Sequence, residues 1–168
     1  VKDAFINKGI GNINLGLDKM LEKGKIGIKE KGDAIARIHT TKKLEDMARV
    51  DFIIEAASEI ETIKLDIFKK LDDICPKDII LSSNTSSIPI TRIASVTNRR
   101  DKVIGMHFMN PAPVMKLVEI IRGTDTSDET LSAVKDIVER VGKIAVVSKD
   151  TPGFIVNRLL MPMINEAV

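Results

Sequence analysis

The sequence predicts an α/β fold built on a buried, largely parallel sheet. Short apolar runs recur at 51–55, 78–82, 103–107, 116–121 and 143–147, and most of them read as apolar throughout rather than alternating. That pattern belongs to strands covered on both faces. Between several of these runs lie longer segments whose apolar residues fall at helical spacing, and strand–helix alternation of this kind implies βαβ units.

Taken in order, residues 1–23 carry Phe5, Ile6, Ile10, Ile13, Leu15, Leu17, Met20 and Leu21 at spacings that mostly fit a helix, with Gly24 as its stop. Residues 25–34 are rich in Lys and Gly and read as a turn or short helix. Residues 35–39, ending in His39, read as a short strand, and 51–55 as a stronger one. Over 59–72 the apolar positions Ile60, Ile63, Leu65, Ile67, Phe68 and Leu71 fit a helix packed on a sheet. Strands follow at 78–82, 103–107 and 116–121. Ser127 is a good N-cap, and Asp128 and Glu129 occupy the first turn of a helix that runs to about Val141. A further strand covers 143–147, and 154–168 reads as a last helix. Alternation stops at Thr151-Pro152-Gly153, which is the expected domain boundary, dividing 1–150 from 151–168.

Composition narrows the function. The chain has 168 residues, enough for one core and a piece of a second domain. Lys and Arg number 26 against 24 Asp and Glu, and the resulting +2 argues against a nucleic-acid protein that works by charge. Five Phe with no Trp or Tyr make a base-stacking surface improbable. A single Cys, Cys75, excludes an internal disulfide framework and a multi-Cys zinc site, and two His make a His-rich metal site unlikely, so no metal is expected. Cys75 itself reads as a structural thiol. No apolar run reaches membrane-spanning length.

The residues that carry chemistry sit where strands end. Ser82, Ser83, Asn84, Thr85, Ser86 and Ser87 follow directly on strand 78–82, at the end where open α/β sheets bind ligands; the plain alternative is a polar turn that caps the next helix. His107 closes strand 103–107, in place for general acid–base work, with a core or capping His as the alternative. Glu119 lies in the middle of an apolar strand. It must be paired if buried, and a His on a neighbouring strand would satisfy it; otherwise it faces solvent from an edge. Asn157 opens the last helix and reads equally as a cap or surface residue. Glu59 suits a helix start, and Lys64 is either functional or solvated. Lys19 and Lys23, four apart, form a basic face that solvation explains and a polyphosphate would also suit. His39 reads as a surface residue. Gly9-Ile10-Gly11 lies inside a helical pattern, follows no strand, and is followed by Asn rather than Gly at position 14, so it does not qualify as a dinucleotide loop.

Four segments together resemble one family: Ile54-Glu55-Ala56-Ala57, Ser83-Asn84-Thr85-Ser86-Ser87, the long run over 101–123, and Thr151-Pro152-Gly153-Phe154 continuing to Arg158. They resemble the 3-hydroxyacyl-CoA dehydrogenases, most closely the bacterial 3-hydroxybutyryl-CoA members, over essentially the whole chain. The resemblance implies a Rossmann-type, doubly wound sheet in 1–150, followed by the first helix of an all-α domain in 151–168. It implies oxidoreduction between (3S)-3-hydroxyacyl-CoA and 3-oxoacyl-CoA with NAD or NADP, in butyrate or fatty acid metabolism. By position in the motif, His107 is then the general acid/base and Glu119 the carboxylate that polarises it. Ser86 lies near the substrate hydroxyl, and Asn157 near the reacting centre. Glu59, Lys64, Asn84 and Asn110 match positions near the cofactor, while Lys19 and Lys23 correspond to a helix that contacts the CoA phosphates. A homo-oligomer and a cytoplasmic location are implied as well.

The family's opening strand, G-x-G-x-x-G turn, helix and second strand have no counterpart in the sequence. Val1 enters a charged helical stretch and Val168 stops inside one, so the expectation is a piece of a longer chain that alone binds dinucleotide poorly and is inactive. Two alternatives stay open. One is a non-catalytic acyl-CoA-binding remnant; the other is the dehydrogenase segment of a multifunctional β-oxidation protein.

Overall fold

A computed structural model describes residues 3–168, which fall into two compact units that divide between Asp46 and Met47. The first unit holds α1 (Asp3–Glu22) and α2 (Ile28–Ala36). As expected, α1 stops at Gly24: Gly24 N–H donates to Leu21 O and Lys25 N–H to Met20 O, both at 2.9 Å. Lys19 lies exposed in the last turn of α1, and Lys23 lies exposed one residue beyond it.

The expected strand at 35–39 is not formed. Ile35 and Ala36 are the last residues of α2. The helix is started by Gly27, whose N–H donates to the Glu30 carboxylate at 2.7 Å while its carbonyl accepts from Lys31 N–H at 3.0 Å. Ile28, Ile35 and Ile38 then fall at helical spacing, and a short apolar run alone does not distinguish the two structures. His39 is exposed, as expected.

The second unit is a five-stranded sheet in the order β1 (Phe52–Glu55), β2 (Ile80–Ser83), β3 (Val103–Phe108), β4 (Leu117–Arg122), β5 (Ile144–Lys149). Helices α3 (Glu61–Ile74), α4 (Ile90–Ala94), α5 (Asp128–Arg140) and α6 (Val156–Glu166) complete it. All neighbouring strands are parallel except β3 and β4. Only the loop 109–116 separates those two, too short for a parallel crossover, so they pair antiparallel. On one face Ile104, Met106, Val118 and Ile120 pack against Val134 and Val138 of α5. The other face carries Gly105, His107, Glu119 and Ile121, with α4 seated on it.

The C-terminal end of α3 is closed by a residue from far along the chain. Arg99 donates to Asp72 Oδ1 at 2.7 Å, to Asp72 O at 2.9 Å, to Cys75 O at 2.8 Å and to Pro76 O. It thereby satisfies carbonyls that a helix end leaves without partners. Burial pushes the Asp72 carboxyl up, but hydrogen bonds from Arg99 and Asn98 outweigh it and hold the group below the usual carboxylate range. Cys75 is buried beside this pair, and burial raises its thiol, in keeping with a structural role.

Gly105 allows α4 to approach the sheet. A Cβ there would lie 2.7 Å from Ile121 Cβ and 2.9 Å from Ile90 Cγ1. Gly105→Ala is therefore expected to cost about 1–3 kcal/mol in urea unfolding. Gly32→Ala, in α2 with nothing within 4 Å of the added carbon, should be neutral or slightly stabilising. An unchanged midpoint for Gly105→Ala would contradict the close packing.

Candidate active site

The β3–β4 register sets His107 directly opposite Glu119. Cross-strand neighbours on one face bring their side chains into contact, and here His107 Nδ1 lies 2.7 Å from Glu119 Oε2. Both residues are buried; Glu119 is only 1% exposed. The second oxygen of Glu119 is also fully used. Oε1 accepts the backbone N–H of Ile155 and of Val156, each at 2.9 Å, where α6 begins. A carboxyl whose two oxygens both accept is arranged as a carboxylate. Such a group accepts hydrogen from Nδ1, and an imidazole whose one hydrogen is on Nδ1 presents Nε2 as an acceptor. That nitrogen lies 3.0 Å from Ser86 Oγ. The expectations for Ser86, His107 and Glu119 thus converge on one line of contacts, and the edge-strand alternative for Glu119 falls, because β4 is interior.

Ser86 stands in the loop after β2, which a second carboxylate organises. Glu59 Oε1 accepts Thr85 Oγ1–H at 2.5 Å, Ser86 N–H at 2.9 Å, Ser87 N–H at 3.0 Å and Ser87 Oγ–H at 2.9 Å. Partial burial pushes the Glu59 carboxyl up. The bonds from Thr85, Ser86 and Ser87, with the Lys64 charge, outweigh that and hold it below the usual glutamate range.

Lys64 is not solvated. It is 1% exposed, with Nζ 2.8 and 3.0 Å from the two Glu55 oxygens, 3.1 Å from Ala57 O and 3.5 Å from Glu59 Oε2. Asn84 spans two strand ends: its N–H donates to Glu55 O at 2.7 Å and its Oδ1 accepts Phe108 N–H at 2.9 Å. Asn157 donates from Nδ2 to Ser86 O at 3.2 Å, so it braces the loop that carries the serine. Asn110 is exposed in the 109–116 loop and is joined to Pro111 by a cis peptide.

Three residues of this region were not singled out from sequence. Glu55 ends β1 and neutralises Lys64, while its Oε2 accepts Ser83 Oγ–H at 2.7 Å. A lone carboxylate closing an apolar strand was the available signal. Asp150, after β5, accepts Ile90 N–H at 2.8 Å and Thr91 N–H at 2.7 Å, capping α4 across a long stretch of chain. Phe154 sets its ring against the His107 imidazole, edge to face, with centroids 5.8 Å apart. Chemically, the arrangement is a base whose far nitrogen is pinned by a carboxylate and whose near nitrogen faces a hydroxyl. It can accept and return one proton at that point.

The family described as 3-hydroxyacyl-CoA dehydrogenase, NAD binding domain, matches residues 1–151. A probable 3-hydroxybutyryl-CoA dehydrogenase of Bacillus subtilis (strain 168) is 52% identical over 160 residues, covering 95% of this chain and 56% of that protein. The fatty acid oxidation complex subunit alpha of Psychrobacter cryohalolentis is 39% identical over 162 residues, covering 96% of this chain and 22% of that protein. The crystal structure of (S)-3-hydroxybutyryl-CoA dehydrogenase from Ralstonia eutropha superimposes with a TM-score of 0.97 at 46% identity, over 99% of this chain and 59% of that one. The chain thus spans less than two thirds of the length of these relatives.

Glu59 gives the site a defined acid response. Its carboxyl is lowered in the fold, so its stabilising contribution is complete above the ordinary glutamate value of about 4.3 and is lost as pH falls through the lowered value. In thermal unfolding, Glu59→Gln should be less stable than the parent at neutral pH. The difference should close as pH drops below the ordinary glutamate range. A gap that stays unchanged well below that range would contradict the role given to the carboxylate.

Proposed function

The chain belongs to the 3-hydroxyacyl-CoA dehydrogenase family, whose NAD-binding domain it matches over residues 1–151, and on that premise we propose that its protein interconverts (3S)-3-hydroxyacyl-CoA and 3-oxoacyl-CoA thioesters. The proposed pair is 3-hydroxybutanoyl-CoA and acetoacetyl-CoA. The contact line from Ser86 through His107 to Glu119 is the observation that carries the reading.

In the oxidative direction His107 Nε2 takes the proton of the substrate 3-hydroxyl while the hydrogen on C3 leaves as hydride and the C3–O bond becomes a carbonyl. Ser86 Oγ, already at hydrogen-bond distance from Nε2, aligns that hydroxyl. Glu119 stabilises the imidazolium that forms and returns the ring to the same tautomer afterwards. Asn157 steadies Ser86 through its backbone carbonyl.

The nicotinamide, when bound, supplies the hydride acceptor. Glu59, Lys64, Asn84 and Asn110 are the residues here that would hold the dinucleotide. Asn84 fits amide and hydroxyl groups, since it commits Oδ1 to Phe108 and keeps Nδ2 as a donor, whereas buried Lys64, bonded to Glu55 and Ala57, would contribute by fixing the carboxylates around the site. Lys19 and Lys23 are proposed to meet the CoA phosphates. Residues 151–168 are proposed to begin an all-α substrate and assembly domain of a cytoplasmic homo-oligomer, and the segment alone is proposed to be inactive. The greater identity to the Bacillus protein than to the oxidation-complex subunit supports a stand-alone enzyme.

In the protein expressed from its complete reading frame, His107→Gln and Glu119→Gln should lower kcat for 3-hydroxybutanoyl-CoA oxidation by roughly 10²–10⁴-fold. KM for the thioester should change only a few-fold. Steady-state kinetics check this; equal losses in turnover and in substrate binding would contradict the assigned roles.

A further inference from the structure

The turn that leads into α6 is conformationally costly, and it is aimed at the dyad. Thr151 O accepts Phe154 N–H at 2.9 Å, with Pro152 and Gly153 at the corners and Gly153 at φ +75°. A side chain at 153 would meet Arg158 N at 2.9 Å, so the position admits only glycine. Phe154 follows in the left-handed region as well, at φ +51°, where it is the one residue other than glycine with positive φ among those described. A bulky residue held there is strained, and such strain persists only where the surroundings enforce it.

Here the surroundings are the dyad. The Phe154 ring is 2% exposed, and it meets the His107 ring at 64° with centroids 5.8 Å apart. The two amides that follow it, Ile155 and Val156, are the two that converge on Glu119 Oε1. One residue is therefore linked to both members of the pair. Its ring restrains the imidazole, and its backbone conformation directs the two donors that hold the carboxylate.

We propose that Phe154 is a positioning residue of the dehydrogenase reaction, acting through His107 and Glu119 rather than on substrate. The inference rests on the proposed function. A misplacement near 1 Å at a reacting group can cost about a hundredfold, so Phe154→Ala should lower kcat by roughly 10–100-fold. KM for the thioester and for the dinucleotide should stay within about twofold, since neither is touched. The low-field proton NMR resonance of His107 Nδ1–H should shift or broaden. Phe154→Gly relieves the backbone while still lacking the ring, and should recover stability but not turnover. Phe154→Leu, which keeps apolar bulk and guards against loss of folding, should fall between Ala and the parent in kcat. Variants that melt with the parent, turn over within twofold of it and leave the resonance unmoved would overturn the proposal. So would a fall in kcat restored in full by Phe154→Gly, which would assign the effect to strain alone. His107→Gln measured in the same assay separates the two levels. If it retains activity, the dehydrogenase reading itself fails; if it is inactive while the Phe154 variants are not, only the positioning role fails.

Discussion

A carboxylate in the middle of a sheet must be given donors, or its burial costs several kcal/mol. Glu119 is that carboxylate, and much of the second unit is arranged around it. It receives His107 from β3 and two amides from the start of α6. Those three bonds tie together the central strand pair and the segment after β5. They also decide the state of the imidazole. A ring that donates from Nδ1 presents Nε2 as the acceptor, and only that form can take a proton from a hydroxyl at the position of Ser86.

The sheet delivers these groups by simple means. The eight-residue loop 109–116 forces β3 and β4 to run antiparallel, and the resulting register puts His107 across from Glu119. Gly105, two residues before His107, lets α4 sit on the same face, and Asp150 holds the start of that helix. At the neighbouring strand ends a second set of charges does similar work. Glu55 and Lys64 neutralise one another in the interior, and Glu59 gathers Thr85, Ser86 and Ser87 so that the serine hydroxyl faces the imidazole. Polar groups close to the His107–Glu119 pair thus spend their hydrogen bonds on position.

The inner strands β2, β3 and β4 were legible because strands buried on both faces have no polar face, whereas β5, apolar in sequence, lies largely exposed at the edge of the sheet. A run such as 103–107 or 116–121 has few other readings. His107 and Glu119 stood out because each is a titratable group inside such a run. The segment 35–39 misled for the same reason: a short apolar run, read without Ile28, has no visible period, and the start of α2 lies at a glycine with no side chain to announce a cap. Lys64 and Glu55 were hard to pair because their contact depends on how α3 folds back on β1. Arg99 and Asp150 act on helix ends far along the chain, and nothing near them in sequence marks that work. Phe154 reads as one more apolar residue after a Pro-Gly turn; its left-handed backbone and its place against the imidazole exist only in the folded chain.

The account depends most on the tautomer that Glu119 imposes on His107. A long-range proton–nitrogen NMR correlation on the histidine rings of the protein, recorded near neutral pH without substrate, reads it directly. The account predicts that the buried imidazole carries its hydrogen on Nδ1 and that Nε2 is unprotonated. A buried ring with hydrogen on Nε2 and a bare Nδ1 would contradict it, because the nitrogen facing Ser86 could then no longer accept the proton that the proposed reaction moves.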